Sequence, residues 1–221
     1  RTLAMIAYAD LDCSIIDELP PGRQPVQTAV VPESRRPQLV QRVLAHCRAG
    51  RQAYWVCPLI EESEVVDSQA AAEVGRELEL ALPELAVGLI HGRMRSQEKD
   101  TIMRRFKEGG LDLLVATTVI EVGVDATNAS LMIIENSERM GLSQLHQLRG
   151  RVGRGSEVSS CVLLYKSPLS EVAQQRLRVI RETSDGFLVA QKDLELRGPG
   201  EVLGTRQAGI MHLKVADLVR D

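Results

Sequence analysis

The nine residues Gln147-Leu148-Arg149-Gly150-Arg151-Val152-Gly153-Arg154-Gly155 close a helical pattern and place three arginines within six positions, interleaved with glycine. A guanidinium keeps its charge at every physiological pH and donates several N–H bonds from a planar fork, so two of them on one tight turn can converge on a single anion. A basic loop that only solvates a surface has no need of glycine between its arginines. Elsewhere, Thr117 ends an apolar strand pattern, where a hydroxyl and neighbouring backbone N–H groups can hold a phosphate without reading a base. A plain strand-end threonine is the alternative. Gly123 permits close backbone approach to a nucleotide, and the Asp125 carboxylate two residues on can orient an arginine or a ribose hydroxyl. His91, in His91-Gly92-Arg93-Met94 after another strand pattern, serves equally as a turn residue or as a contact.

Other chemistries are excluded. No G-x-x-x-x-G-K-[ST] phosphate loop occurs, and no acidic box suited to magnesium stands out. Gly198-Pro199-Gly200 and Gly204 approach a dinucleotide fingerprint, but the spacing is one residue too long and no strand pattern precedes it. Cys13, Cys47, Cys57 and Cys161 are far apart and have no histidine at zinc-ligand spacing, so no metal site is expected and a reduced, cytoplasmic setting fits best. No apolar run reaches the ~20 residues that span a bilayer, so no membrane partner is expected. Taken alone, these residues cannot run a phosphoryl transfer.

The elements that must position these residues follow from periodicity. Strand patterns at Val26 to Val31, Ala53 to Cys57, Val87 to Ile90, Leu113 to Thr117, Leu131 to Ile134 and Ser160 to Tyr165 alternate with helical patterns at Gln38 to Arg48, Ser68 to Leu82, Ser96 to Lys107 and Leu142 to Arg149. That alternation predicts an α/β fold, a parallel sheet flanked by helices, with Ser96 as a helix N-cap and Trp55 in the core. After Pro168 the alternation stops. Leu169 to Glu182 and Phe187 to Leu196 predict a helical hairpin broken at Asp185-Gly186, followed by a Gly/Pro-rich loop. The expected division is 1–167 and 168–221. Composition is that of a soluble globular protein, with 44% hydrophobic and 26% charged residues. With aromatics at 3% and a net charge of -3, single strands would not be held mainly by base stacking, and backbone contacts would serve instead. The absence of an initiator Met leads us to expect a piece of a longer chain.

The arginine stretch resembles the sixth motif of superfamily 2 helicases, Q-x-x-G-R-x-G-R. Leu113 to Asp125 looks like their fifth motif, and His91-Gly92-Arg93-Met94 is similar to their loop that grips the nucleic-acid backbone. This resemblance implies a RecA-like lobe, the second of two, with Arg151 and Arg154 as arginine fingers. It further implies Gly123, Asp125 and Gln147 at the nucleotide, and His91, Gly92, Arg93 and Thr117 on the DNA backbone. ATP and Mg2+ would be shared with the first lobe of the same polypeptide, which holds the Mg2+. Arg1-Thr2-Leu3-Ala4-Met5 looks like the residues after the third motif. Asp185-Gly186-Phe187 and Asp193 to Gln207 resemble the translocation motif of the RecG family of branched-DNA translocases. That likeness implies an ATP-dependent helicase acting on branched or double-stranded DNA, with Arg176, Arg197 and Gln207 coupling hydrolysis to movement. A hairpin that only covers the lobe is the alternative. The transcription-repair coupling factor carries a related hairpin, and a non-catalytic nucleic-acid-binding module of this fold is the reading from another class.

Overall fold

Six consecutive residues of one strand, Gln52–Cys57, are buried, including Trp55 and Tyr54 with no exposed surface. A strand apolar on both faces belongs inside a parallel sheet covered by helices on each side. The computed structural model, which describes residues 24–58, 64–117, 128–153 and 158–197, has that arrangement. Its strands are β1 (Gln27–Pro32), β2 (Gln52–Cys57), β3 (Val87–Ile90), β4 (Leu113–Thr117), β5 (Ala129–Ile134) and β6 (Ser160–Tyr165). They form one sheet in the order β1-β6-β5-β2-β4-β3, and every pairing is parallel.

The helices are α1 (Arg36–Arg48), α2 (Glu64–Ala81), α3 (Ser96–Lys107), α4 (Leu142–Arg149), α5 (Glu171–Glu182) and α6 (Gly186–Arg197). Side chains alternate across the sheet, so Ala53, Trp55 and Cys57 pack with α1 and α2, while Tyr54 and Val56 pack with α3, α4, α5 and α6. Crossovers moving one way along the sheet use one face and those moving back use the other, as right-handed connections require. The hairpin α5–α6 buries Leu177, Ile180 and Val189 in the same core as α4, so it is packed on the lobe and not tethered to it.

The strand and helix patterns of the sequence are present, with shifts that have local causes. β1 begins and ends one residue later than expected. β5 begins at Ala129, two residues early, because Gln52 pairs with Ala129 and Ala53 with Leu131 across a bulge that admits Ser130 to the strand. Helix α3 is capped by Arg95, not by Ser96: the Glu98 carboxylate accepts the Arg95 N–H at 3.1 Å, and Ser96 is the first helical residue. α5 starts at Glu171 because Ser170 caps it, its Oγ accepting the Ala173 N–H at 3.2 Å. Asp185 performs the same task for α6, its Oδ1 accepting the Phe187 N–H at 2.8 Å. Trp55 is in the core as expected, and its Nε1–H donates to Glu135 Oε1 at 2.9 Å.

Candidate functional site

At the carboxyl end of the sheet, β3 and β4 are neighbours, with Ile90 opposite Ala116. The next residue on each strand is His91 or Thr117, so the two stand side by side at one corner. Both carry buried polar atoms without a hydrogen-bond partner among the described residues: Nδ1 of His91 and Oγ1 of Thr117. Thr117 is fully buried. Orphaned polar atoms inside a fold cost about 1–3 kcal/mol each, so this corner carries two groups with unused hydrogen-bonding capacity.

The loop beyond the corner is a turn tied to the next helix. The Met94 N–H returns to His91 O at 3.2 Å, forming a turn, and Lys99 Nζ donates to Gly92 O at 2.8 Å, tying the turn to the first helical turns of α3. Arg93 and Arg95 are exposed around it. Partial burial lowers the His91 pKa from its ordinary value, and Lys99 and Arg93 lower it further. The ring is therefore neutral at pH 7, able to donate or accept a hydrogen bond but not to form an ion pair.

The arginine turn lies at the other end of the sheet. Gly150 closes α4, the Arg151 N–H reaches Leu148 O at 2.9 Å, and Val152 is fully buried. Gly153 has φ +78°, and a Cβ there would come within 3.0 Å of the Val26 side chain and 3.3 Å of Ser159 Cβ. Only glycine meets both conditions, which pins the turn beside the amino ends of β1 and β6. Val152 anchors the turn from within while Arg151 stays half-exposed. Gln147 is exposed one helical turn earlier, on the same side of α4.

Of the described residues, His91, Gly92, Arg93 and Thr117 therefore lie at the carboxyl end of the strands and Gln147 and Arg151 toward the amino end. The chain between them leaves the carboxyl end of β4 after Thr117 and enters β5 at the amino end of the sheet, on the far side of β2. Gly123 and Asp125 belong to that link and, with Arg154 and Gln207, lie outside the described residues. Arg197 is the last residue of α6, and its side chain also lies outside them. Arg176 is half-buried on α5, with its Nη1 donating to Met140 O at 2.8 Å and its Nε without a partner among the described residues.

Sequence reasoning missed the contacts of four residues. Arg149, grouped by sequence with the anion-binding arginines, turns inward and is 5% exposed. His146 lies beside it, with Nδ1 at 2.9 Å from Arg149 Nη2. Ser143 Oγ donates to Asp193 Oδ2 at 2.7 Å, linking α4 to α6. No spacing rule finds the contacts of Arg149 with Ile180 and Thr183 or of Ser143 with Asp193, because those partners stand tens of residues away. Among the described residues Cys47, Cys57 and Cys161 are free and buried, and desolvation raises each thiol, Cys47 and Cys161 to about 12. Among the described residues no group of three His, Cys, Asp or Glu side chains suits a metal ion, and no helix is long and apolar enough to cross a membrane.

Comparison with known proteins supplies the family. Residues 35–156 match the helicase conserved C-terminal domain, and residues 183–221 match the C-terminal part of domain 3 of the ATP-dependent DNA helicase RecG. The chain is 67% identical over 222 aligned residues to the ATP-dependent DNA helicase RecG of Escherichia coli K12, covering 100% of this chain and 32% of that protein. It is 47% identical to the RecG of Bacillus subtilis, with the same coverage of each. The chain thus spans about a third of the length of these relatives. A solved structure of RecG bound to a three-way DNA junction superposes with a TM-score of 0.76 at 45% identity, over 91% of this chain and 26% of that one. Saccharomyces cerevisiae Dbp5 bound to RNA and ADP BeF3, at a TM-score of 0.54 and 15% identity over 82% of this chain and 45% of that one, shares the fold. The chain belongs to the helicase conserved C-terminal domain family, and within it to the RecG branch, as a segment of the C-terminal lobe.

Proposed function

We propose that the chain is the second motor lobe of an ATP-dependent double-stranded DNA translocase that remodels replication forks and Holliday junctions. Arg151 and Arg154 act as arginine fingers on a nucleotide whose phosphate loop and Mg2+ belong to the first lobe of the same polypeptide. Gly123, Asp125 and Gln147 face that nucleotide. His91, Gly92, Arg93 and Thr117 hold the DNA backbone, and Arg176, Arg197 and Gln207 couple the two events. Residues 1–167 form the lobe and 168–221 the hairpin and loop that read its state.

The observation that carries this reading is the arginine turn itself, pinned by Gly153 and Val152 while Arg151 stays half-exposed, in a chain similar to RecG throughout. The donor set fits part of a nucleotide site. It supplies positive charge for a transferring phosphoryl group but no phosphate cradle, which is what a second lobe contributes. The RecG relative bound to a three-way DNA junction supports branched DNA as the substrate. When the intact protein is offered forked DNA and a stalled transcription complex, unwinding of the fork is expected. Selective displacement of the polymerase would favour the coupling-factor reading instead.

The orphaned corner gives a second expectation. Thr117→Val keeps the shape and removes the hydroxyl, so thermal stability should hold or rise, since a buried unpaired group is removed. DNA affinity should fall by about 3- to 10-fold, as for one lost hydrogen bond of roughly 0.5–1.5 kcal/mol. The salt dependence of binding should not change, because a hydroxyl releases no counterion. Fluorescence anisotropy titrations at several salt concentrations measure both, and an unaltered affinity removes Thr117 from the DNA site.

A further inference from the structure

Between β5 and α4 the chain makes a tight turn in which one side chain takes no part in the fold. Asn136 adopts the left-handed conformation at φ +46°, which asparagine tolerates better than most side chains, and the single 3-10 turn Ser137–Arg139 follows. Its neighbours are held from several sides. Ser137 is buried and its Oγ donates to Leu164 O at 2.9 Å, Glu138 Oε2 accepts the Lys166 N–H at 3.2 Å, and Met140 is buried in the core. The Arg139 N–H reaches Asn136 O at 3.0 Å, and the Met140 N–H reaches Ser137 O at 3.2 Å. Of residues 136–140 only Arg139 is exposed, and among the described residues its guanidinium has neither a hydrogen bond nor an ion pair. A fixed backbone beneath a long side chain lowers the ordering cost of any contact that side chain makes.

This turn stands at the carboxyl end of the sheet. The Glu135 N–H donates to Val56 O at 2.9 Å, and Cys57 pairs with Thr117 on the other side of β2, so the ends of β5, β2 and β4 form one row that continues to the His91 corner. Neighbouring strands lie about 4.8 Å apart, which puts the end of β5 about 10 Å from Thr117. Each strand of a duplex carries a phosphate about every 3.4 Å of its axis, so a backbone crossing this row meets both within a few nucleotides. The carboxylates around the turn are already engaged: Glu135 by Arg36 and Trp55, Glu138 by the Lys166 N–H, and Glu33 by Lys166 Nζ at 3.6 Å. That leaves Arg139 as a charge with no partner there. The eight residues of α4, about 12 Å of helix, separate it from the Arg151 turn, so it does not belong to the same anion site.

We propose that Arg139 is a further DNA-backbone contact, a charged anchor at the end of β5 whose guanidinium pairs with a phosphate of duplex DNA and reads no base. It rests on the reading of the carboxyl end of the sheet as the DNA face. A phosphate accepts two parallel N–H bonds from one guanidinium, and contacts of this kind fix the position of a duplex without carrying sequence information. Pairing a phosphate with a cation also releases a counterion, which the uncharged groups of His91 and Thr117 do not do.

The test titrates fluorescein-labelled forked DNA with the intact protein at several salt concentrations and follows anisotropy. Arg139→Ala should weaken binding on the order of tenfold at low salt, the scale of one charge-assisted hydrogen bond, and should reduce the slope of log affinity against log salt by about 0.9, one phosphate's worth of counterion. The loss should be the same on a second fork of unrelated sequence. Arg139→Lys keeps the charge, so it should keep the slope and lose part of the affinity. An unchanged slope in Arg139→Ala overturns the proposal, whether the affinity holds, as for a solvated arginine, or falls, as for a disturbed fold. If Arg139→Ala melts early, Arg139→Gln, which keeps the aliphatic stem, decides by the same slope. Thr117→Val separates the two readings. A reduced slope in Arg139→Ala beside unaltered affinity in Thr117→Val removes only Thr117 from the DNA face, whereas an unchanged slope beside weakened binding by Thr117→Val removes only Arg139.

Discussion

Arg151→Ala in the intact protein is expected to lower DNA-stimulated ATP turnover by roughly 10³- to 10⁵-fold, or about 4 to 7 kcal/mol of transition-state stabilisation. The size follows from the role. Phosphoryl transfer leaves little covalent work for the protein, and charge placed on the transferring group accounts for most of the acceleration. The substitution is informative because the turn is anchored by other residues. Val152 is buried, Gly153 holds the backbone at φ +78° against Val26 and Ser159, and Arg149 is tied into the hairpin. The side chain at 151 can be truncated without emptying the core, so the fold and the DNA affinity should be retained. Arg151→Lys should recover only part of the rate, since a point charge cannot reproduce the two-pronged geometry of a guanidinium. Steady-state hydrolysis at saturating forked DNA measures this, and turnover within a few-fold of the parent would remove Arg151 from the chemistry.

How much of this arrangement was legible in the sequence depended on whether the decisive forces were local. β3, β4, β6, α3 and α4 occupy the residues their periodicity indicates. Burial on both faces writes an uninterrupted apolar run into Leu113–Thr117, and one-sided burial writes a helical period into Leu142–Arg149. Element ends were less legible. Ser96 has the right chemistry for an N-cap, yet the carboxylate three residues after Arg95 closes the capping box one position earlier. Ala129 and Ser130 are too small and polar to announce a strand, and they join β5 only through the bulge opposite β2.

The site divided along the same line. Glycine-interleaved arginines and a threonine at a strand end are visible in one dimension, because turn and strand-end chemistry is local. The juxtaposition of His91 with Thr117 depends on β3 lying beside β4, which the chain order alone does not state. Sorting Arg149 from Arg151 depends on where α5 ends in space. In sequence they are two arginines separated by a glycine, but Arg149 is buried against carbonyls while Arg151 occupies a half-exposed turn.

The second large effect concerns the 221 residues taken alone. A lobe that carries fingers but no phosphate loop has nothing to hold ATP in line for attack, and positioning together with charge stabilisation is nearly all the catalysis available. Two apolar cores cover both faces of the sheet, so the isolated chain should give a helical circular dichroism spectrum and a cooperative thermal transition that show it is folded. The most direct test of the central claim is the rate of phosphate release by this folded chain with ATP, Mg2+ and saturating forked DNA. The account predicts a rate indistinguishable from buffer, and turnover that rises with added DNA would contradict it.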